Sequence, residues 1–474
     1  MNTSYFLSLS VPALAKEIQS QSLTSQELTR SLLGRAQALN PTLNAFISFR
    51  NEQALKEAEQ ADKEIKQGHY RGLYHGIPIA LKDNIYLKGE VTTMGAKIHQ
   101  DFMPKEDAIV VKKLREAGAI IIGKLNLHEY AWGITTNNPH YGACHNPWDL
   151  NKIPGGSSGG SGAAIAAGLS FGSIGTDTAG SIRIPAACCG VVGLKPTYDL
   201  VSRDGVFPLS PSLDHVGPMG RSIEEVAILL DIIADKKPEV AYCDALNQEI
   251  KGLTLGVDEA YYFHRVDKPI AKATQKIFDS LEKQGVTFKN IEIPELSQAE
   301  FAGYMTIMAE AFTVHWDNLQ TRLKDFGPDL QALYQAGMVP SSIDYLKAQT
   351  LREKIKAAFA KTFTEVDALI SPTIPILPPD IGSDTAYING EPVGLDKHIM
   401  RFMIPSNVAG LPSLALPSGL SRGLSEGIGG RLGGGLPTSL QLIGPQWSEA
   451  MLLNLGKKIA ALAQFTSLKP MIIN

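Results

Sequence analysis

The stretch of sequence that decides the fold runs over residues 153–185 and reads IPGGSSGGSGAAIAAGLSFGSIGTDTAGSIRIP. Its first part, 153–176, carries no charge and contains eight glycines and five serines. Few of these residues are large and apolar, whereas a membrane-spanning helix needs about 20 predominantly apolar residues. The pattern instead predicts a short helix over 160–168 and a short strand over 171–175.

Two Ser/Gly-rich loops, 154–162 and 175–185, lie on either side of this helix and strand. Such a compact unit brings both loops to one end of a sheet, which is where binding sites of α/β proteins lie. Small residues let a backbone approach a ligand closely. Consecutive N–H groups in the second loop predict a cradle for a developing oxyanion. The groups concerned belong to Thr178, Ala179, Gly180 and Ser181.

Outside this stretch, helical patterns alternate with short apolar strands, which is typical of an α/β fold. The first 70 residues read as helices, and strands are predicted over 76–82, ending at Lys82, and over 119–123. Further helices are predicted over 223–235, 268–284, 342–361 and 448–463, and further strands over 252–257, 286–293, 367–371 and 436–443. No linker composition divides the chain, so we expect one large domain.

Two regions differ from this alternation. Residues 295–362 are more helical than the rest. Residues 419–435 contain eight glycines in 17 positions, which predicts a mobile surface loop.

Composition excludes several classes of protein. The 474 residues include 44 Lys and Arg against 48 Asp and Glu, and the resulting net charge of −4 argues against a nucleic-acid-binding surface. Four cysteines do not make a disulfide framework. The first residues have no Lys or Arg ahead of their apolar patch, which argues against a signal peptide. We therefore expect a cytoplasmic protein without a membrane segment.

Three short motifs imitate known active sites and are discarded. The P-loop-like segment 118–124 is followed by Leu125 and therefore lacks the hydroxyl that ligates Mg²⁺. The serine–lysine pair in 280–283 lies on a predicted solvent-facing helix. Segment 155–159 matches a nucleophile elbow, but a loop precedes it where a strand is required. Neither the histidines nor the cysteines form a metal-ligand cluster, so no metal and no cofactor are expected.

Five ordered segments resemble the amidase signature family, the serine hydrolases with a Ser–cis-Ser–Lys triad. They are Gly76–Asn84, Pro154–Gly168, Gly175–Ala186, Ile404–Pro412 and Gly435–Gly444. The resemblance covers nearly the whole chain and implies one amidase domain, 1–474, with a central mixed β-sheet flanked by helices. It implies N-terminal helices over 1–70, a catalytic core over 71–200, a helical substrate-specificity portion over 295–362 and C-terminal core blocks over 404–474.

The resemblance also assigns roles to individual residues. Ser181 is implied as the nucleophile, Ser157 as the bridging serine that follows a cis peptide bond, and Lys82 as the base. Thr178, Ala179, Gly180, Ala131 and Trp132 are expected to bind the oxyanion and the substrate. Supporting roles fall to Ser158, Asp177 and Arg183, the last two as a buried ion pair.

The chemistry of lysine agrees with this assignment. A lysine with its ordinary pKa of about 10.4 is protonated at neutral pH and cannot accept a proton. Burial lowers the pKa because it disfavours the ammonium form. The apolar neighbours Ile79 and Leu81, together with the uncharged Ser/Gly stretch, predict such an environment for Lys82.

Two functions remain open. The first is an amide hydrolase that cleaves a carboxylic amide to an acid and ammonia or an amine. The alternative is the amidase subunit of a glutamine-dependent tRNA amidotransferase, which usually carries an Asp shortly before the block that corresponds to 404–412. The stretch 397–403 has no acid, so the sequence favours the hydrolase. The expected partner is then a small amide substrate, with no nucleic acid and no membrane, and a homodimer stays open.

Overall fold

The computed structural model describes residues 3–336, 338–421, 435–465 and 470. Most of the glycine-rich segment predicted as a mobile loop, residues 422–434, lies outside this range. In the described part, no helix combines the length and apolar character needed to cross a bilayer.

Fifteen α-helices occur in the described part of the chain. They are α1 Thr3–Ser8, α2 Val11–Gln19, α3 Ser25–Leu43, α4 Asn51–Lys66, α5 Ile109–Glu116, α6 Gly159–Ala166, α7 Arg183–Cys189, α8 Ile223–Ile233, α9 Lys268–Glu282, α10 Ala299–Arg322, α11 Pro328–Gln335, α12 Ser342–Thr362, α13 Leu395–Met400, α14 Ile404–Val408 and α15 Glu449–Ala463.

Fifteen strands accompany these helices. They are β1 Phe46–Phe49, β2 Pro78–Lys82, β3 Ile120–Leu125, β4 Asn137–Asn138, β5 Gly142–Ala143, β6 Ser173–Asp177, β7 Val192–Lys195, β8 His215–Gly220, β9 Thr254–Val257, β10 Thr287–Asn290, β11 Ala368–Pro372, β12 Thr385–Ile388, β13 Glu391–Gly394, β14 Ser413–Leu420 and β15 Pro437–Ile443.

Eleven strands form one sheet in the order β1-β3-β2-β6-β8-β7-β14-β15-β11-β9-β10. Neighbouring pairs β3/β2 and β2/β6 are parallel, whereas β6/β8 and β14/β15 are antiparallel. The largest apolar cluster packs helices from both halves of the chain against this sheet. The predicted single α/β domain with a central mixed sheet flanked by helices is therefore confirmed.

Local signals explain why many boundaries were predictable. Thr24 and Glu27 form a capping box that starts α3. Helix α12 likewise starts at a capping box, formed by Ser341 and Asp344, and ends within one residue of its predicted end. Strands β1, β7, β8 and β14 were not predicted, and β8 contains Gly217 and Pro218, which disfavour strand formation.

The sheet brings the two predicted loops to one edge. Parallel neighbours β2 and β6 both end there, β2 at Lys82 and β6 at Asp177. Close backbone approaches explain the glycines between them: a Cβ at Gly160 would lie 2.4 Å from the Asn126 carbonyl oxygen, and one at Gly156 would lie 2.6 Å from the Ile134 carbonyl carbon. Larger residues would force these segments apart.

Candidate active site

Lys82 and Ser157 meet at the end of β2. Lys82 Nζ lies 2.7 Å from Ser157 Oγ, and both side chains are fully buried. The peptide bond between Gly156 and Ser157 is cis. The structure therefore brings together the base and the bridging serine that the resemblance implied.

Burial changes the protonation of Lys82. Removal of the amine from water lowers the pKa of Lys82 to about 7, although the carboxylates of Asp177 and Asp214 oppose the shift. At that pKa, a substantial fraction of the amine is uncharged at neutral pH and is able to accept a proton.

Ser181 lies on the loop that joins β6 to α7 and is 6% exposed. Its carbonyl oxygen accepts the N–H of Ser158 at 3.3 Å, which ties the loop that carries Ser181 to the loop that carries Ser157. Within the described residues, no hydrogen bond joins the hydroxyls of Ser181 and Ser157. Ser181 also lines a cavity.

The predicted oxyanion loop is held by two carboxylates. The Gly180 N–H donates to Asp177 Oδ1 at 2.7 Å, so it already has a partner. Thr178 Oγ1 donates to Asp214 Oδ1 at 2.6 Å. Burial raises the pKa of Asp214 to about 6. The other predicted donors, the N–H groups of Thr178, Ala179 and Ser181, form no hydrogen bond among the described residues.

Asp177 and Arg183 form a buried ion pair beneath this loop. Arg183 Nε donates to Asp177 Oδ2 at 3.0 Å, and the guanidinium also bonds to Ser406 at 2.8 Å and to Asn407. Burial alone would raise the pKa of Asp177, but the Arg183 charge and hydrogen bonds hold it below its usual value. Ser158, the third predicted supporting residue, donates to the Thr176 carbonyl at 3.2 Å. The network fixes the nucleophile loop to the C-terminal part of the chain.

A cavity of about 510 Å³ opens beside Ser181. The predicted pocket residues Ala131 and Trp132 line it together with Ala179. Its far walls come from α10, α11, α13 and the segment before β12. Those wall residues include Tyr304, Ile307, Met308, Asp329, Leu333, Asp384, Asp396 and Met400. The described lining contains no lysine or arginine.

Two polar contacts join the predicted catalytic core, 71–200, to the helical portion, 295–362, at the wall of the cavity. His128 Nε2 lies 2.9 Å from Asp329 Oδ2. Glu129 accepts the Gly327 N–H at 2.8 Å and lies 2.8 Å from His140 Nε2. Burial raises the pKa of Glu129 to about 7. The helical portion is therefore held against the loop that carries Ala131 and Trp132.

Sequence reasoning missed three residues near Lys82. Thr176 Oγ1 accepts a hydrogen bond from Lys82 Nζ at 2.7 Å, and Asn84 Nδ2 donates to the same oxygen at 3.2 Å. Both lie inside the quoted motifs, but neither has a side chain that signals catalysis. Asp214 follows no motif and reaches the site only through the fold. In the described residues, no group of three or more His, Cys, Asp or Glu side chains is placed to hold a metal ion.

Comparison with known proteins extends these findings. One subunit of the glutamyl-tRNA(Gln) amidotransferase of Carboxydothermus hydrogenoformans is 34% identical, and the match covers 98% of this chain and 99% of the relative. A solved chain from a complex described as vestigial, and as revealing the evolutionary origins of an s-triazine catabolic enzyme, is 31% identical with a TM-score of 0.88, over 98% of this chain and all of that one. The peptide amidase of Stenotrophomonas maltophilia is 31% identical with a TM-score of 0.80, covering 98% and 99%.

The predicted partners need correction. The prediction of a small amide as the partner, with no nucleic acid and a possible homodimer, is wrong. The Carboxydothermus relative is named as one subunit of an enzyme for glutamyl-tRNA(Gln). Net charge misled because it averages the whole surface and says nothing about a nucleic acid that is held together with another protein.

The assignment of this chain to a family rests on agreement between the sequence comparison and the structure comparison. The family model described as Amidase matches residues 27–453 of this chain. The solved relatives share its fold over almost its full length. The chain therefore belongs to the amidase signature family.

Proposed function

We propose that this chain is the amide-cleaving subunit of an amidotransferase of the glutamyl-tRNA(Gln) kind, in which it releases ammonia from an amide. The contact of 2.7 Å between the buried Lys82 amine and the Ser157 hydroxyl carries the chemical part of the proposal. The 34% identity to an amidotransferase subunit over 98% of the chain supports the proposal that this chain works as a subunit of such an enzyme.

The proposed reaction passes through an acyl-enzyme. Neutral Lys82 takes the Ser157 proton while Ser157 takes the proton of Ser181, and the Ser181 oxygen attacks the amide carbonyl carbon. Free N–H groups of the 178–181 loop stabilise the resulting oxyanion. The C–N bond then breaks, and the nitrogen leaves with a proton returned by Lys82 through Ser157. A water molecule, deprotonated along the same path, hydrolyses the Ser181 ester.

Nothing in this sequence of steps needs a cofactor. The predicted division of the domain fits it: residues 71–200 supply the proton path, and residues of the 295–362 portion wall the cavity. That division supports a role of the helical portion in substrate selection.

Exchange of subunits tests whether this chain functions as a subunit of an amidotransferase. We expect this chain, put in place of its counterpart among the subunits of the Carboxydothermus enzyme, to support the conversion of glutamyl-tRNA(Gln) to glutaminyl-tRNA(Gln) with glutamine as the nitrogen donor. Ammonium chloride as donor controls for a functional partner assembly. The proposal fails if ammonium supports the conversion, the authentic counterpart supports it with glutamine, and this chain does not.

A second candidate concerns the amide that is cleaved. The cavity presents three carboxylates, Asp329, Asp384 and Asp396, and neither lysine nor arginine in its described lining; His128, which also lines it, pairs with Asp329. Met400 lines it within the stretch 397–403, which carries no acid. These features favour an amide without a free carboxylate over glutamine.

Three matched amides separate the two candidates. The second candidate predicts that kcat/KM falls from 5-aminopentanamide through pentanamide to 5-amino-5-oxopentanoate, by about tenfold per step at low salt. The differences should shrink as ionic strength rises, because salt screens exposed charges. Equal or faster cleavage of the carboxylate-bearing amide and of glutamine would remove the second candidate.

A further inference from the structure

A buried carboxamide beside Lys82 has no role in the proposed reaction. Asn84 is 2% exposed, and its Nδ2 donates to Thr176 Oγ1 at 3.2 Å. Its other end, Oδ1, is buried and has no hydrogen-bond partner among the described residues. Both Asn84 and Thr176 line a second cavity of about 510 Å³ that also contacts Asp214. An unpaired buried acceptor is unfavourable by about 1–3 kcal/mol, so its presence next to the base calls for an explanation.

Two hydroxyl groups compete for the single lone pair of the neutral Lys82 amine. Two hydroxyls, Ser157 Oγ and Thr176 Oγ1, lie at the same distance of 2.7 Å from Lys82 Nζ. An uncharged amine has two N–H donors and a single lone pair. If the Thr176 hydroxyl donates its proton to that lone pair, Lys82 is unable to receive the proton of Ser157. The base works only when Thr176 accepts from Lys82 and the lone pair faces Ser157.

We propose that Asn84 is a positioning residue that holds the Thr176 hydroxyl as an acceptor toward Lys82, so that the amine lone pair faces Ser157. The proposal rests on the proposed amide cleavage. It assigns Asn84 no contact with the substrate.

One orientation of the carboxamide serves this purpose. With Nδ2 toward Thr176, Asn84 occupies one acceptor position of the hydroxyl, and the Thr176 proton is free to point to Lys82 or to the second cavity. After a half-turn of the carboxamide, which exchanges its oxygen and nitrogen, the unpaired Oδ1 accepts the Thr176 proton directly. In that orientation only acceptor positions of Thr176 are left for Lys82, which then donates an N–H to this hydroxyl.

The charged groups near Lys82 set the expected pH behaviour. The carboxylates that act on the wild-type amine are Asp177 and Asp214. Asn84→Asp adds a third carboxylate of nearly the same shape. It still accepts the Thr176 proton, but it also stabilises the ammonium form of Lys82.

The test measures kcat/KM against pH for a simple amide such as pentanamide. In the plot of kcat/KM against pH, we expect Asn84→Asp to move the rising acid limb to higher pH by about one unit or more. The plateau of kcat/KM at alkaline pH should persist. Asn84→Leu should lower the plateau about tenfold, the equivalent of one hydrogen bond. In a Thr176→Val background that loss should disappear, because the competing hydroxyl is gone.

Asn454→Asp provides the matched control. Asn454 is 5% exposed and its carboxamide bonds to the backbone of Gln248, remote from Lys82. It should leave the acid limb in place. An unmoved limb in Asn84→Asp, or losses that multiply in the Asn84→Leu/Thr176→Val double variant, would overturn the proposal. If Asn84→Leu does not fold, the position of the acid limb in Asn84→Asp alone decides whether the proposal holds. A wild-type chain that cleaves no amide would instead refute the proposed function.

Discussion

Ser181→Ala is expected to abolish amide cleavage, with kcat lowered by about 10⁴-fold or more. The substitution removes the only atom to which the acyl group is proposed to attach, and Ser157 has no access to the substrate because it is fully buried. Ammonia release measures the rate. Labelling with a fluorophosphonate, read by intact mass, reports whether an activated serine is present.

Ser280→Ala is the matched control for this prediction. Ser280 is half-buried on α9, where it belongs to a serine–lysine pair with the spacing of another hydrolase class. This control should keep both the rate and the labelling. A Ser181→Ala protein that is still labelled at one serine would show that the nucleophile lies elsewhere.

Replacement of the proposed base is the second prediction with a large effect. Lys82→Ala should lower kcat/KM by about 10³-fold, because no other described group forms a hydrogen bond with the Ser157 hydroxyl. In the wild-type protein the amine should be mostly protonated at pH values well below 7 and then unable to accept a proton. Since its pKa is about 7, the rate should rise through that pH and level off above it.

The pH profile of Lys82→Ala distinguishes this role from a structural one. Loss of the base removes the rising limb near pH 7, and hydroxide then sets the remaining slope. The far-ultraviolet circular dichroism and the melting temperature establish that the variant is folded. A variant that retains a limb near pH 7 would discard Lys82 as the base, whatever its residual rate.

Local sequence signals predicted much of the fold. The start of α3 follows from the Thr24–Glu27 capping box, and β2 follows from an apolar run that ends at Lys82. Strand β8 was not predictable in this way, because its Gly217 and Pro218 are disfavoured in strands and only the neighbours β6 and β7 place it in the sheet.

The candidate site was predictable to the extent that its residues share motifs. Lys82, Ser157 and Ser181 lie in segments that resemble a known family. Asp214 meets Thr178 only because β8 pairs with β6. The cavity walls from α10 and α13 lie more than a hundred residues after the segment 175–186 that carries Ser181. Their convergence depends on tertiary packing, which residue periodicity does not encode.

The origin of the cavity walls has an evolutionary consequence. The proposed proton path lies at the edge of β2 and β6, whereas the far walls of the cavity belong to helices from a later part of the chain, one of which contacts the segment after β3 through His128–Asp329. Mutations in those helices alter which molecule fits without disturbing how its bond is broken. Proteins with this architecture are thereby able to evolve new substrate specificities while they keep one reaction mechanism.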